Sequence, residues 1–270
     1  MATRIAATMS RLRAEGRAGL VPFLSVGDPD LATSRDAVLA VAEAGADIIE
    51  LGVPFSDPIA DGPVIQESSQ RALKAGSSLP RVLEMVTWLR ARTDVPLVLF
   101  GYYNPFLRYG DENLARDARS AGADAVLSSD LPPEEAADLV AACRRHDLDR
   151  IFLLAPTSNE ARMRAVAEVA SGFVYMVSVT GVTGARASAP AAGIEQLVMQ
   201  ARAVTGLPIG VGFGISSAEQ AAAVARYADL VIVGSALVRR VFEAGPAGAV
   251  AAARGFVAEL RRGIDDVTKS

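Results

Sequence analysis

Short apolar runs alternate with helical patterns from one end of this sequence to the other, and no other feature restricts its fold as strongly. Eight runs have the length and composition of β-strands: Leu20–Val26, Asp47–Val53, Pro96–Tyr102, Ala123–Ser129, Arg150–Ala155, Gly172–Val179, Pro208–Phe213 and Asp229–Gly234. Several are almost continuously apolar, which is typical of strands covered by helices on both faces. This alternation predicts an α/β fold, a closed (β/α)8 TIM barrel. A doubly wound open sheet is the alternative, but no GxGxxG motif follows the first run.

Helical patterns occupy the gaps between the runs. Five of them are Leu31–Ala44, Pro80–Arg92, Pro133–Arg145, Glu160–Ala170 and Ala218–Arg226. An additional amphipathic helix is predicted within Met1–Gly16, where Ile5, Met9 and Leu12 recur at helical spacing. The length of 270 residues suits one barrel, so a single domain over residues 1–270 is expected.

Composition and charge exclude several classes of function. The formal net charge of −4 provides no basic surface for nucleic acid or for an anionic membrane. With one cysteine, Cys143, and one histidine, His146, the chain can form neither an intrachain disulfide nor a multi-histidine zinc site, so no metal is expected. No apolar run approaches the length of a membrane span, and the N-terminal segment lacks the apolar core of a secretion signal. A cytoplasmic protein is the expectation.

One acidic residue interrupts the second apolar run. Side chains alternate along a strand, so Ile48, Glu50 and Gly52 share a face, and the bulkier apolar set on the other face should meet the helices. Glu50 is therefore predicted to point into the barrel, where burial raises a carboxyl pKa into the range useful for proton transfer. The alternative is a glutamate paired with an internal arginine, and Arg150 is the only arginine within a candidate strand.

The segment after this run carries two more carboxylates, Asp57 and Asp61, among three prolines. Asp57-Pro58 and Asp61-Gly62 are also ordinary turn pairs, so either aspartate could have only a turn role. Together with Glu50, however, the loop could place a second carboxylate over the same cavity, and two carboxylates in different surroundings can divide acid and base duties.

Glycines and apolar residues gather at the predicted carboxyl ends of the strands. Gly184, Gly214, Gly234 and Ser235 follow strands 6, 7 and 8, where backbone N–H groups can form an anion site, although barrel loops also need glycine simply to turn. An apolar wall suited to an aromatic ligand is predicted from Phe23, Phe100, Leu127, Leu153, Tyr175 and Phe213. Plain core packing is the alternative, above all for Leu127 and Leu153.

The segment Glu50-Leu-Gly-Val-Pro-Phe-Ser-Asp-Pro-Ile-Ala-Asp-Gly-Pro63 resembles the signature of the tryptophan synthase alpha chain family. The resemblance continues in order through Pro22-Phe23, Gly27-Asp28-Pro29, Tyr175, Gly181-Val-Thr-Gly184, Gly212-Phe-Gly-Ile-Ser216 and Gly234-Ser235, and so covers nearly the whole chain. Two positions depart from it. Ser25 stands where the family often has threonine, and Ser178-Val179-Thr180 stands where many members have an arginine-containing stretch.

This resemblance implies a lyase that splits indole-3-glycerol phosphate into indole and glyceraldehyde 3-phosphate by a retro-aldol reaction. It implies that Glu50 is the general acid/base, that Asp61 binds the indole N–H, and that the glycines and Ser235 bind the substrate phosphate. No metal or organic cofactor is implied. A pyridoxal-phosphate beta subunit is implied as the partner, in an α2β2 complex that passes indole internally.

The loops 54–63 and 179–190 are predicted to close over the ligand, with the Thr183 hydroxyl donating a hydrogen bond to Asp61 that holds them closed.

Two other functions are compatible with the same barrel. The first is a sugar-phosphate isomerase or epimerase, which would often need a metal or a catalytic histidine. The second is a non-catalytic regulatory barrel, which the presence of both Glu50 and Asp61 argues against.

Overall fold

Eight parallel strands close into a barrel in the computed structural model, which describes residues 3–177, 191–212 and 214–267. The strands are β1 Gly19–Ser25, β2 Ile49–Gly52, β3 Leu97–Gly101, β4 Ala125–Ser128, β5 Asp149–Leu154, β6 Val174–Val177, β7 Ile209–Gly212 and β8 Leu230–Val233. Each pairs with the next, and β8 returns to pair with β1. The predicted TIM barrel is confirmed, and every strand lies within the run that predicted it, to within one residue.

Twelve helices accompany the strands in the described part of the chain. They are α1 Arg4–Ala14, α2 Leu31–Glu43, α3 Pro63–Lys74, α4 Leu79–Arg90, α5 Tyr103–Tyr109, α6 Asp111–Ala121, α7 Ala137–Arg145, α8 Glu160–Val169, α9 Ala191–Thr205, α10 Ala218–Ala225, α11 Ser235–Glu243 and α12 Gly245–Asp265. The predicted helix over 133–145 is divided, because Ala136 leaves the helical conformation between a 3₁₀ turn at Pro133–Glu135 and α7. None of the described helices is long and apolar enough to cross a membrane.

Side chains alternate between the inside of the barrel and the layer under the helices. Ile49, Leu51 and Val53 pack with the helices in the larger apolar cluster. Ile48 belongs instead to a second cluster inside the barrel, which contains Val21, Val98, Ala125, Leu127, Ile151, Phe173, Leu230 and Ile232. The alternation places Glu50 on the inner face with Ile48, so the predicted orientation of β2 is confirmed.

Helix α1 closes the end of the barrel at which the strands begin. Its Ile5, Met9 and Leu12 join the inner apolar cluster, so the predicted amphipathic face is confirmed and lies against the barrel interior. Burying a large apolar side chain contributes about 1.5–3 kcal/mol, so these three contacts anchor α1 firmly. The barrel is therefore accessible from its other end, where the strands finish.

Charged side chains reinforce the closed end. The sequence Ala-Gly-Ala-Asp occurs twice, at 44–47 and 121–124, and Gly45 and Gly122 both have φ near +100° (103° and 102°). These turns deliver Asp47 and Asp124 to the barrel base. Asp47 accepts hydrogen bonds from Leu20 N at 3.0 Å and from the guanidinium groups of Arg11, Arg17 and Arg261. Asp124 accepts from Leu97 N at 2.9 Å and from Arg4 and Arg90.

Candidate active site

A cavity of about 640 Å³ opens at the carboxyl ends of the strands. Nine of the residues singled out in the sequence line it: Phe23, Glu50, Asp61, Phe100, Leu153, Tyr175, Gly214, Gly234 and Ser235. Leu127 does not line it. That side chain is fully buried in the inner apolar cluster, in agreement with the core-packing alternative. Thr183, Gly184 and Phe213 lie outside the described residues.

Glu50 lies in the wall of the cavity without a compensating charge. The β-sheet register sets it between Phe23 of β1 and Val98 of β3, and its side chain is 0% exposed. Neither carboxyl oxygen has a hydrogen-bond partner among the described residues. Burial therefore raises the pKa of Glu50 from 4.5 to about 8. At neutral pH the carboxyl keeps its proton and can act as an acid.

The alternative of a Glu50–arginine pair is wrong. Arg150 has the strand parity of Phe152, which packs under the helices, and its guanidinium stacks 4.5 Å over that ring. Its Nη1 donates to the carbonyl oxygens of Val126 at 3.0 Å and Ile151 at 2.7 Å. Arg150 is thus bound on the opposite side of the barrel wall from Glu50.

Asp61 reaches the cavity from the loop between β2 and α3. Turn hydrogen bonds shape this loop: Asp61 N donates to Pro58 O at 3.1 Å, and Gln66 Nε2 donates to Asp61 O at 2.9 Å. Burial raises the pKa of Asp61 to about 6, against the opposing effect of a hydrogen bond from Tyr102. Asp57 is exposed and does not line the cavity, so only one of the two loop aspartates takes part in the site.

The apolar side of the cavity is built from aromatic rings. Phe100 makes edge contacts with Phe23, at a centroid distance of 5.5 Å, and with Tyr175, at 6.3 Å. Gly212 leaves room for Tyr175, because a Cβ at that position would lie 2.3 Å from the tyrosine hydroxyl. Such a flat apolar wall suits a planar aromatic ligand.

The side of the cavity that follows β7 and β8 is formed by backbone and small residues. Gly214 has φ +56°, and Gly234 precedes the first turn of α11, whose N-terminus has no side-chain cap. Ser235 opens that helix and lines the cavity with Gly214. Free N–H groups and the helix dipole favour an anion there.

Two ionisable side chains of the described cavity lining were not singled out from the sequence. Tyr102 directly follows β3, and Arg239 lies one turn into α11. Tyr102 stood at the end of a predicted strand, which is the one sequence signal that pointed to it. Arg239 resembled an ordinary arginine of a solvated helix face.

The single histidine and cysteine lie away from the cavity. His146 ends α7 on the outer surface, with Nε2 at 2.7 Å from Glu112 Oε1, and Cys143 is buried under the same helix. Among the described residues, no three His, Cys, Asp or Glu side chains are grouped so as to hold a metal ion. The described residues that line the cavity provide carboxyl, phenol, hydroxyl and guanidinium side chains together with backbone groups.

Fold and cavity together define a TIM-barrel protein with a small-molecule site at the carboxyl ends of its strands, the position at which enzymes of this fold carry out their reactions. The family model of the tryptophan synthase alpha chain matches residues 9–263. The chain belongs to the tryptophan synthase alpha chain family.

Individual relatives agree with this assignment. The tryptophan synthase alpha chain of Geobacter sulfurreducens is 54% identical over 264 residues, which cover 97% of this chain and 99% of that one. The Burkholderia pseudomallei alpha chain is 52% identical over 268 residues, covering 99% and 98%. Among solved structures, the tryptophan synthase alpha subunit of Legionella pneumophila superposes with a TM-score of 0.92 at 36% identity, covering 99% of this chain and 100% of that one. A chain of Mycobacterium tuberculosis tryptophan synthase gives a TM-score of 0.90 at 41% identity, covering 98% and 99%.

Proposed function

We propose that this chain cleaves indole-3-glycerol phosphate into indole and glyceraldehyde 3-phosphate. The observation that carries the proposal is a fully buried, unpaired Glu50 with a pKa of about 8, in one cavity with the half-buried Asp61. The indole ring fits against Phe23, Phe100 and Tyr175, and the phosphate fits at the glycine side. Gly184 belongs to the proposed phosphate site and Thr183 to the proposed loop latch.

The reaction begins with proton transfer to the ring. Indole is a poor carbanion leaving group, so the Glu50 carboxyl first donates its proton to ring carbon C3, and positive charge develops at the indole nitrogen. The Asp61 carboxylate stabilises this charge and accepts the hydrogen bond of the ring N–H. The pKa of about 6 for Asp61 leaves it ionised at neutral pH, as this role requires.

Bond cleavage then restores the catalyst. The Glu50 carboxylate takes the proton of the hydroxyl on the adjacent glycerol carbon, the C–C bond breaks, and its electron pair returns to the ring. The former hydroxyl carbon becomes the aldehyde, indole leaves with the donated proton on C3, and Glu50 is again protonated. Atoms and charge balance without an oxidant, reductant or metal.

A tryptophan synthase beta subunit is the proposed partner, in an α2β2 complex that receives the indole. Two large apolar side chains support an interface beside the cavity opening. Ile59 is 88% exposed in the loop after β2, and Leu107 is 55% exposed on α5, which follows β3. Both residues belong to segments that follow the carboxyl ends of strands, the end of the barrel at which the cavity opens, and a contiguous apolar surface there would mark a protein interface.

The test is release of indole from indole-3-glycerol phosphate by the purified chain, with and without a beta subunit. Glu50→Gln should lower kcat by about 10²–10⁴-fold while leaving the affinity for a non-cleavable indole phosphate analogue nearly unchanged. Asp57→Asn is the matched control, because it removes an exposed carboxylate that does not line the cavity. Near wild-type turnover by Glu50→Gln, or no indole from the wild type in either form, would refute the proposal and favour an isomerase or a regulatory subunit.

A further inference from the structure

Tyr102 connects the barrel wall to the loop that carries Asp61. Its side chain is only 5% exposed, although it lines the cavity. The hydroxyl oxygen accepts a hydrogen bond from the backbone N–H of Ala60 at 2.9 Å, and Ala60 directly precedes Asp61. The ring packs against Phe55 of the same loop, with centroids 5.2 Å apart. One side chain rooted at the end of β3 therefore holds the loop at two points.

The hydroxyl hydrogen of Tyr102 forms a second hydrogen bond, to Asp61. While its oxygen accepts from Ala60, the Tyr102 O–H remains free to donate, and a hydrogen bond to the Asp61 carboxyl opposes the effect of burial on the pKa of Asp61. The other titratable groups lining the cavity are Glu50 of β2, Tyr175 of β6 and Arg239 of α11. A donor to the charged form of a carboxyl favours that form.

We propose that Tyr102 is a positioning residue, which fixes the loop backbone at Ala60 and thereby aims an ionised Asp61 at the ring nitrogen of the substrate. This inference rests on the proposed function. The positioning role requires no bond between Tyr102 and the reacting atoms. Tyr102 sets the place of the carboxylate that forms one.

Tyr102→Phe is the decisive variant, because it keeps the ring and its contact with Phe55 and removes only the hydroxyl. Tyr109→Phe is the matched control, since it removes another tyrosine–aspartate hydrogen bond, Tyr109 Oη to Asp117 Oδ2 at 2.7 Å, on a surface remote from the cavity. The neutral hydrogen bond from the Ala60 N–H to the Tyr102 hydroxyl corresponds to a fold-change of up to about 10 in an equilibrium or rate constant.

Three results are expected. Tyr102→Phe should lower kcat/KM for indole-3-glycerol phosphate about 3- to 10-fold. In a plot of kcat/KM against pH, the acidic limb of the variant should move to higher pH, because Asp61 loses a donor that favours its ionised form. The alkaline limb, which reports Glu50, should stay in place. Tyr109→Phe should leave kcat/KM and both limbs unchanged. A Tyr102→Phe profile that coincides with the wild-type profile would overturn the inference.

Hydrogen exchange separates this inference from the proposed function. The Ala60 amide should exchange faster in Tyr102→Phe than in the wild type or in Tyr109→Phe, with the free energy of unfolding nearly unchanged. This measurement needs no substrate, so it still tests the positioning role if the wild-type chain releases no indole. Equal exchange at Ala60 in all three proteins would show that Tyr102 does not hold the loop.

Discussion

Glu50 and Asp61 share one cavity but have different surroundings, and the difference assigns their protonation states. Burial without a partner raises the pKa of Glu50 to about 8, whereas Asp61, half-buried and close to Tyr102, has a pKa of about 6. The proposed reaction needs Glu50 protonated and Asp61 ionised. Both conditions are met only at a pH between the two pKa values, about 6 and about 8.

A bell-shaped dependence of kcat/KM on pH is therefore expected, with limbs near pH 6 and pH 8. The acidic limb reports protonation of Asp61, and the alkaline limb reports loss of the proton from Glu50. Steady-state kinetics between pH 5 and pH 9.5 would measure both. Asp61→Asn should abolish the acidic limb, and a rate that continues to rise above pH 9 would contradict the role given to Glu50.

The same raised pKa predicts how stability changes with pH. Between about pH 5 and pH 8 folded Glu50 keeps its proton, whereas a glutamate in the unfolded chain, titrating near 4.5, has lost it. The contribution of the buried neutral Glu50 to the free energy of unfolding is fully present below pH 4.5. It is lost as the pH rises through about 8. The free energy of unfolding of the wild type should therefore fall across this window relative to Glu50→Gln. Urea titrations of both proteins at four pH values would test it, and a constant difference would refute it.

The inward direction of Glu50 was predictable because strand alternation is a local rule, and Ile49 and Leu51 settle which face is which. The role of Tyr102 was not, because it depends on a hydrogen bond to Ala60 across 42 positions of sequence. For Leu127 the sequence predicted the direction of the side chain but not its depth in the barrel. Alternation predicted that it faces inward, but its depth below the cavity depends on how the strands are staggered, which no local pattern encodes.

Among the elements, α11 presents two polar residues to the cavity at i and i+4, which are neighbours on one helix face. Ser235 opens the helix, and Arg239 follows one turn later. Arg239 is the only basic residue among the described residues that line the cavity, and the described chain holds no carboxylate within ion-pairing distance of it. The adjacent Arg240 instead stacks 4.2 Å over Phe256.

Arg239→Gln should raise the KM for indole-3-glycerol phosphate by about 10- to 100-fold, because a guanidinium–phosphate hydrogen bond is charge-assisted. Arg239→Lys should recover part of the loss, since it keeps the charge without the planar fork. Arg240→Gln is the control on the same helix. Competition by glycerol 3-phosphate provides a second measurement, and equal inhibition of all three variants and the wild type would exclude a contact with the phosphate.

Strands were easier to predict than helices for a physical reason. Each strand is buried on both faces and appears as an apolar run, so all eight strands lie inside the runs that predicted them or extend at most one residue beyond. No range was predicted for α3, α5, α6, α9, α11 or α12. Helices α5 and α6 are the hardest to separate, because α5 is a short helix after a strand and meets α6 at a single glycine, Gly110 with φ +88°. Neither carries a long apolar stripe of its own.

On the scale of the whole molecule, the barrel has one charged, closed end and one open end. Asp124 at the closed end is 1% exposed and binds the Arg4 side chain of α1, the Arg90 side chain of α4 and the backbone of β3. It joins three elements that are far apart in the sequence. None of its hydrogen-bond partners is among the described residues that line the cavity.

Asp124→Asn should lower the free energy of unfolding by about 3 kcal/mol, because it leaves two guanidinium groups without their buried counterion. The kcat for indole formation at a temperature where the variant is folded should remain near the wild-type value. Asp36→Asn, which removes an exposed partner of Arg35, should change stability by less than about 0.5 kcal/mol. A large fall in kcat in the folded Asp124→Asn protein would show that the two ends of the barrel are coupled.

The arginine–aspartate network at the base of the barrel shares no residue with the cavity at its mouth, and this separation has a consequence for how such a chain can be changed by selection. Substitutions that alter which ligand is accepted will be found around Asp61, Tyr102 and Arg239, whereas those that raise heat tolerance will be found around Asp47 and Asp124. Because distant sites contribute additively, variants gathered in separate rounds of directed evolution should combine in one protein without loss of either gain.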